Sequence, residues 1–325
     1  MKLLKKVILP VALGVFSVNA SAENTYPTKP VSMVVPYSAG QIDVFTRALA
    51  KGLSEEWKQP LIVENRGGAN EAIGSEYVTR AAPDGYTILI ATEAAYTLNP
   101  MLFKKMTHDP EKQLAPVTMV AKAPFVVVVP ASSKANTMQE FIAMAKERSK
   151  TDPIRYGSSG VGGVNHLPYI TLSAQHNLEM IHVPYKGGAA VLQDVMAGHV
   201  ESAMLGAGIV SQNLKSGHMK ALAVSADERL KELPDVPTFK ELGLPDIQAN
   251  YYLGLAVPTG TPQAVIDKIA ETTKKVILTK EFKSTYLDPF GFTAIGSGPK
   301  ELATYQQKDK AMQSVRIKAS GVRFD

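Results

Sequence analysis

Residues 156–166 read YGSSGVGGVNH, from Tyr156 to His166. The run before them, Ile154–Gly157, reads as a short strand, and a helix follows to about His176. Two other stretches share this grammar. Pro36–Asp43 (PYSAGQID) follows a predicted strand over Ser32–Val35, and Glu64–Gly74 (ENRGGANEAIG) follows one over Leu61–Val63. Strands handing over to helices through glycine loops imply parallel α/β sheets with right-handed crossovers. Such a loop leaves free backbone N–H groups at a helix start, where the helix dipole also favours anions. Several of them converging on one cleft can hold a small carboxylate without a buried Lys or Arg. The pattern points to capture of an anion rather than chemistry on it.

Outward from these loops the periodicity continues. Asp43 is a plausible N-cap for a helix whose stripe is Val44, Ala48, Gly52, Leu53 and Trp57, ended by Gln59-Pro60. Ile73, Tyr77, Val78 and Ala81 give a second stripe. Pro83-Asp84-Gly85 is a turn before a strand over Tyr86–Ala91, and Thr92–Pro100 is another strand exit. A second set begins near Ala121. It has the apolar strand Phe125–Val129, a helix over Thr137–Arg148, a strand over His182–Tyr185, a helix opened by Gly187-Gly188 and a strand over Ala221–Ser225. After a proline-rich stretch come Tyr252–Val257, a helix begun by Thr261-Pro262 with Val265, Ile266, Ile269, Val276 and Ile277 on its buried face, and a last helix after Ser297-Gly298-Pro299. Two α/β lobes are expected, residues 23–121 with 248–325 and residues 122–247. The chain crosses twice between them, and the cleft lies at the strand C-terminal ends.

The N-terminus reads as a signal peptide over residues 1–22. Lys2, Lys5 and Lys6 precede an apolar run from Val7 to Val18, and Ala20-Ser21-Ala22 is the cleavage site. That run is shorter than the roughly 20 residues a spanning helix needs. Removing residues 1–22 takes three lysines and no acid, so 32 basic residues face 30 acidic ones and net charge falls from +5 to +2. The remaining charge reads as a mixed surface, not a nucleic-acid patch. The chain has no cysteine, which excludes disulfides, thiolate metal sites and a Cys nucleophile. The six histidines show no metal-ligand spacing, so no cofactor or metal is expected.

Six motifs in order carry a resemblance. They are Tyr26-Pro27-Thr28-Lys29-Pro30, Glu64-Asn65-Arg66, Ala82-Pro83-Asp84-Gly85-Tyr86-Thr87, Val183-Pro184-Tyr185-Lys186-Gly187-Gly188, Leu233-Pro234-Asp235-Val236-Pro237-Thr238 and Gly260-Thr261-Pro262. Together they resemble the substrate-binding proteins of tripartite tricarboxylate transporters, the Bug family, from about Tyr26 to the last helix. The resemblance implies a type II periplasmic binding-protein fold, two α/β lobes joined by a two-strand hinge. It implies a small carboxylate ligand (a dicarboxylate, an aromatic carboxylate or an amino-acid-like acid) held mostly by backbone amides and ordered waters. It also implies a periplasmic monomer whose partners are membrane permease subunits or, alternatively, a sensor domain.

The candidate ligand-binding residues follow the loops. The first supplies Tyr37, Ser38, Ala39, Gly40, Gln41 and Asp43, the second Gly68, Ala69 and Asn70, and the next strand exit Glu93 and Ala94. Ser158, Ser159, Gly162, Gly163, Val164, Asn165 and His166 come from the third loop, Tyr185 and Lys186 from a strand end able to close over the cleft, and Gly206 and Ala207 from the second lobe. The plainer alternatives are turn-forming glycines, an exposed or paired Lys186, a packing His166 and a capping Asp43. Two departures from the family pattern bear on the ligand. The first loop is one residue short, and Glu71 replaces a glycine where the family binds a carboxylate. Glu71 either turns to solvent or pairs with Arg66, or with Glu93 it faces a ligand that also carries a cation or hydroxyl. A secreted hydrolase using Ser159 with His166 or His182 is the competing class, although Gly157-Ser158-Ser159-Gly160 does not fit the G-x-S-x-G elbow.

Overall fold

The computed structural model describes residues 26–37, 41–185, 187–247, 249 and 251–320. The predicted signal peptide over residues 1–22, Ser38, Ala39, Gly40 and Lys186 lie outside the described residues. From the N-terminus come β1 (Val31–Val35), α1 (Gln41–Trp57), β2 (Leu61–Asn65), α2 (Ala72–Thr79) and β3 (Thr87–Ala91). A π-helical turn over Ala94–Leu98 and two single turns, α3 (Asn99–Leu102) and α4 (Pro110–Gln113), lead into β4 (Leu114–Ala123). Next are β5 (Phe125–Pro130), α5 (Met138–Arg148), β6 (Ile154–Ser158), α6 (Leu167–His176), β7 (Met180–Pro184), α7 (Gly188–Met196), β8 (Ser202–Gly206), α8 (Ala207–Lys215) and β9 (Met219–Ser225). The chain returns through β10 (Tyr251–Pro258), α9 (Gln263–Ile277), the one-turn α10 (Lys280–Phe282), β11 (Thr293–Ala294) and α11 (Pro299–Ser320).

Two sheets result, one ordered β11-β4-β10-β3-β1-β2 and the other β7-β6-β8-β5-β9. Both are mixed rather than wholly parallel as the sequence pattern predicts. The reason lies in the crossings. β4 and β10, which carry the chain out of and back into the first sheet, pair antiparallel with each other, and β10 also runs antiparallel to β3. β5 likewise runs antiparallel to β8 and β9.

The inner strands are buried on both faces, which is why they read as apolar runs rather than alternations, whereas the edge strands β2 and β7 are partly exposed. In β5, Phe125, Val127 and Val129 enter one core while Val126 and Val128 enter the other. Each such aliphatic side chain contributes about 1.5–3 kcal/mol by leaving water. The helices differ in detail from the predicted stripes. On α1 the buried ridge is Phe45, Leu49, Leu53 and Trp57, one step round from Val44, which is 50% exposed. On α2, Ile73 and Tyr77 face outward, whereas Gly74, Ser75 and Val78 are buried. Thr137 caps α5 in a reciprocal arrangement with Glu140. Thr261 donates to the Pro258 carbonyl instead of capping α9.

Register fixes where the lobes meet. β1 and β2 pair Val35 with Asn65, and Gly254 on β10 pairs with Ala91. The C-terminal ends of β1, β2 and β3 therefore lie beside Tyr251 and Ala123, at the edge where the chain crosses. In the second sheet Phe125 pairs with Gly206 and Ser225, and β6 and β7 run parallel to each other, with β6 parallel to β8. Ser158, Pro184 and Gly206 thus end at the same crossing edge. At the crossing, Tyr251 packs edge-on against Phe125 at 5.5 Å and lies 6.0 Å from Phe292. Leu167 of α6 joins Leu98, Leu102 and Ile317 in a cluster that ties α11 to both sheets.

Candidate ligand cleft

In the first lobe, Gly68, Ala69, Asn70 and Glu71 all have positive φ, at +131°, +47°, +49° and +76°. Each non-glycine residue there is disfavoured by about 1–2 kcal/mol, so the surroundings must hold the turn in place. Two sets of bonds do so. Asn70 Nδ2 donates to Asn99 Oδ1 at 2.8 Å, and Asn99 Nδ2 donates to the Asn70 carbonyl at 2.6 Å. The Glu71 carboxylate accepts from the Tyr37 hydroxyl, the Thr92 hydroxyl and, at 2.9 Å, the Thr92 N–H. Tyr37 and Thr92 stand at the exits of β1 and β3, so Glu71 joins three adjacent strand ends. It is only 4% exposed, and burial pushes its carboxyl up to about 7 against the pull of the Thr92 and Tyr37 donors.

Both sequence alternatives for Glu71 as a surface group are thereby corrected. It does not turn to solvent, and Arg66 is engaged elsewhere, bonding Glu64 at 2.8 Å and lying 3.6 Å over the Tyr77 ring. Glu93 is wholly buried and faces the lobe interior and the hinge strand. Its Oε2 accepts the Tyr252 N–H at 3.3 Å, and its Oε1 has no partner among the described residues. Burial, then the neighbouring charge of Asp309, holds its carboxyl well above the usual range. The Ala94 N–H is taken by Thr92 Oγ1 at 3.3 Å. Asp43 sits inside the first turn of α1 rather than capping it, accepting from Arg47 Nε at 3.0 Å and Asn65 Nδ2 at 2.9 Å. It braces the first loop against the second.

In the second lobe, buried Asn165 clamps the glycine loop. Its Nδ2 donates to Ser159 Oγ and the Met204 carbonyl, and its Oδ1 accepts the Ser159 N–H. Gly162 N–H donates to His166 Nδ1 at 3.0 Å. The amides of Val164 and Asn165, one turn before α6, have no acceptor among the described residues. Gly163 turns its carbonyl to the His166 and Leu167 amides. Gly206 leads into α8, and the Ala207 N–H is taken by the Pro124 carbonyl at 3.0 Å. Tyr185 does not reach over the cleft. Its hydroxyl donates to Asp194 at 2.6 Å, which ties it to α7, and its ring packs with the outer core.

The hydrolase arrangement also fails locally. The serine nearest a histidine is Ser158, not Ser159, with Oγ 2.6 Å from His182 Nε2. Ser158 Oγ also bonds the Gly160 carbonyl at 2.8 Å and accepts the Gly160 N–H at 3.2 Å, which holds it within its own loop. Residues 45–322 match the tripartite tricarboxylate transporter family receptor.

The chain belongs to this family.

A Bordetella bronchiseptica relative described as a UPF0065 protein is 30% identical over 321 residues, covering 97% of this chain and 94% of its own. The solved periplasmic binding protein BugD is 28% identical, with a TM-score of 0.80 over 92% of this chain and 99% of its own. An R. palustris protein solved with adipate is 27% identical, with a TM-score of 0.83 over the same shares. As a family receptor the chain is a solute-binding protein of the periplasmic type and not an enzyme. Thr92 and Asn99, which hold the Gly68–Glu71 turn of the candidate cleft in place, were not among the sequence candidates. Their signal was position, since both stand in the exit segment after β3.

Proposed function

We propose that this receptor is exported by cleavage of residues 1–22, captures a small carboxylate between its lobes and hands it to the membrane permease subunits of a tripartite transporter. The observation that carries the reading is the facing of the two sets of strand ends, with the unpaired Val164 and Asn165 amides on the second-lobe side. An anion there meets N–H groups at a helix start without a cationic side chain. The adipate-bound relative supports the ligand class. Ligand bridging both lobes favours the closed form, which presents a surface the open form lacks.

Thermal unfolding of the purified protein against mono-, di- and tricarboxylates, aromatic acids and amino acids tests this. A carboxylate that binds only the folded state raises the midpoint in a concentration-dependent way. A folded protein that no carboxylate shifts refutes the reading.

A further inference from the structure

We infer that Glu71 is a resident carboxylate, seated on the three first-lobe donors that a ligand's second carboxylate would need, and that it selects ligands bringing one carboxylate to the second lobe and a neutral or cationic end to the first. The inference rests on the carboxylate-receptor reading. The donors are the Tyr37 hydroxyl and the Thr92 hydroxyl and N–H, all engaged by Glu71. They sit at the exits of β1 and β3, on the edge that faces the second lobe. Tyr37 remains partly exposed and Gly67, Gly68 and Ala69 are exposed, so the loop that carries the buried Glu71 carboxylate reaches open space within a few residues of it.

The geometry is that of a carboxylate recognition site already filled. Two hydroxyls and one backbone amide converge on one carboxyl group, the donor set that stabilises a bound anion. The backbone adopts φ +76° at Glu71, so a glutamate stands where glycine would fit without strain. The groups around it are Tyr37, Tyr96, Tyr251 and Glu93, which are neutral or anionic in every protonation state, so none of them supplies a compensating positive charge. A second anion brought within about 4–6 Å of Glu71 meets repulsion, whereas an ammonium or amide end meets an acceptor.

The test is calorimetric titration at pH 8 with chain-matched probes: hexanoate, adipate and 6-aminohexanoate, and butyrate, succinate and 4-aminobutyrate. Wild type is expected to bind the better of the mono- or amino-carboxylates about tenfold or more tightly than the matched dicarboxylate. Glu71→Gly, which suits the backbone and empties the cradle, is expected to reverse that preference. Glu71→Gln keeps the cradle filled but neutral and is expected to shrink the preference without reversing it. Thermal midpoints confirm that each variant is folded. Wild type binding a dicarboxylate as tightly as its matched partners overturns the inference and leaves the receptor reading standing. A folded Glu71→Gly with an unchanged preference overturns it too. Wild type that binds none of the probes nor any acid of the wider carboxylate panel overturns both.

Discussion

His166 lies stacked on His182 with ring centroids 3.8 Å apart. Tyr156 continues the stack 5.2 Å from His182, and Tyr169 lies 4.4 Å beyond Tyr156. Protonating either imidazole would place a charge in this half-dry column. Burial, and then the neighbouring His182, pushes His166 down to about 3, and burial also lowers His182. Both are therefore neutral in the fold, while in the unfolded chain they titrate near 6.5. The unfolded state binds more protons in this window, so the histidines' contribution is intact above pH 6.5 and is lost as pH falls from there towards 3. Each contributes a slope of at most about 1.4 kcal/mol per pH unit. His166→Gln should lose less stability than wild type between pH 6.5 and 4, read by denaturant unfolding. Parallel profiles for the two proteins would refute this.

Glu93 and Asp309 behave in the opposite sense. Asp309 is 3% exposed, bonded to Thr97 Oγ1 at 2.8 Å, and burial raises its carboxyl as it does that of Glu93. A raised carboxyl keeps its proton in the fold to a higher pH than in the unfolded chain, where the group ionises above about 4. Their contribution is present below that value and is lost as pH rises. Glu93→Gln keeps an acceptor for the Tyr252 N–H and removes the ionisation. It should raise the unfolding midpoint at pH 8 by the equivalent of about 1 kcal/mol or more, with little effect at pH 4. A loss of stability at pH 8 would show that ionised Glu93 supports the fold.

Gly52 on α1 stands directly against Val276 on α9. A Cβ there would stand 2.5 Å from Val276 Cγ1, a stiff β-branched neighbour. Helix propensity alone favours Ala over Gly by about 1 kcal/mol. Overpacking of a core contact costs about 1–3 kcal/mol, so the contact should win and Gly52→Ala should destabilise. In a Val276→Ala background the same change should stabilise, because the propensity term then stands alone. A double-mutant cycle with no coupling would contradict the close contact.

Elements buried on both faces were readable because burial leaves a continuous apolar run, as in Phe125–Pro130. β4 was hidden by its own sequence. Pro116 interrupts the run, and it is tolerated because the β10 pairing shifts register between Leu255 and Ala256, opposite Thr118 and Pro116. β8, over Ser202–Gly206, is short and rich in small residues, and what makes it a strand is pairing with β5 and β6, a non-local fact. At the site, the glycine loops were visible as punctuation, but the destination of Glu71 was not. Its side-chain direction follows from a left-handed backbone and from donors 34 and 21 residues away at Tyr37 and Thr92, which no local window contains.

The second crossing between the lobes is pinned by one side chain. Ser225 ends β9, and its buried Oγ donates to the Ala249 carbonyl and accepts the Ala249 N–H at 2.7 Å. Phe125, which pairs with Ser225 in the sheet, packs on Tyr251 just beyond Ala249. Ser225→Ala leaves a buried donor and acceptor unpaired, which costs about 1–3 kcal/mol. Because Ala249 lies on the connection between the two sheets, the loss falls on the geometry of closure as well as on global stability. The variant should therefore unfold at a lower midpoint and bind its solute more weakly, with the binding deficit remaining at temperatures where the protein is fully folded. Ser225→Thr restores the hydroxyl and should recover the binding if the added methyl is accommodated. Unchanged affinity in a folded Ser225→Ala variant would show that the crossing is held without this bond.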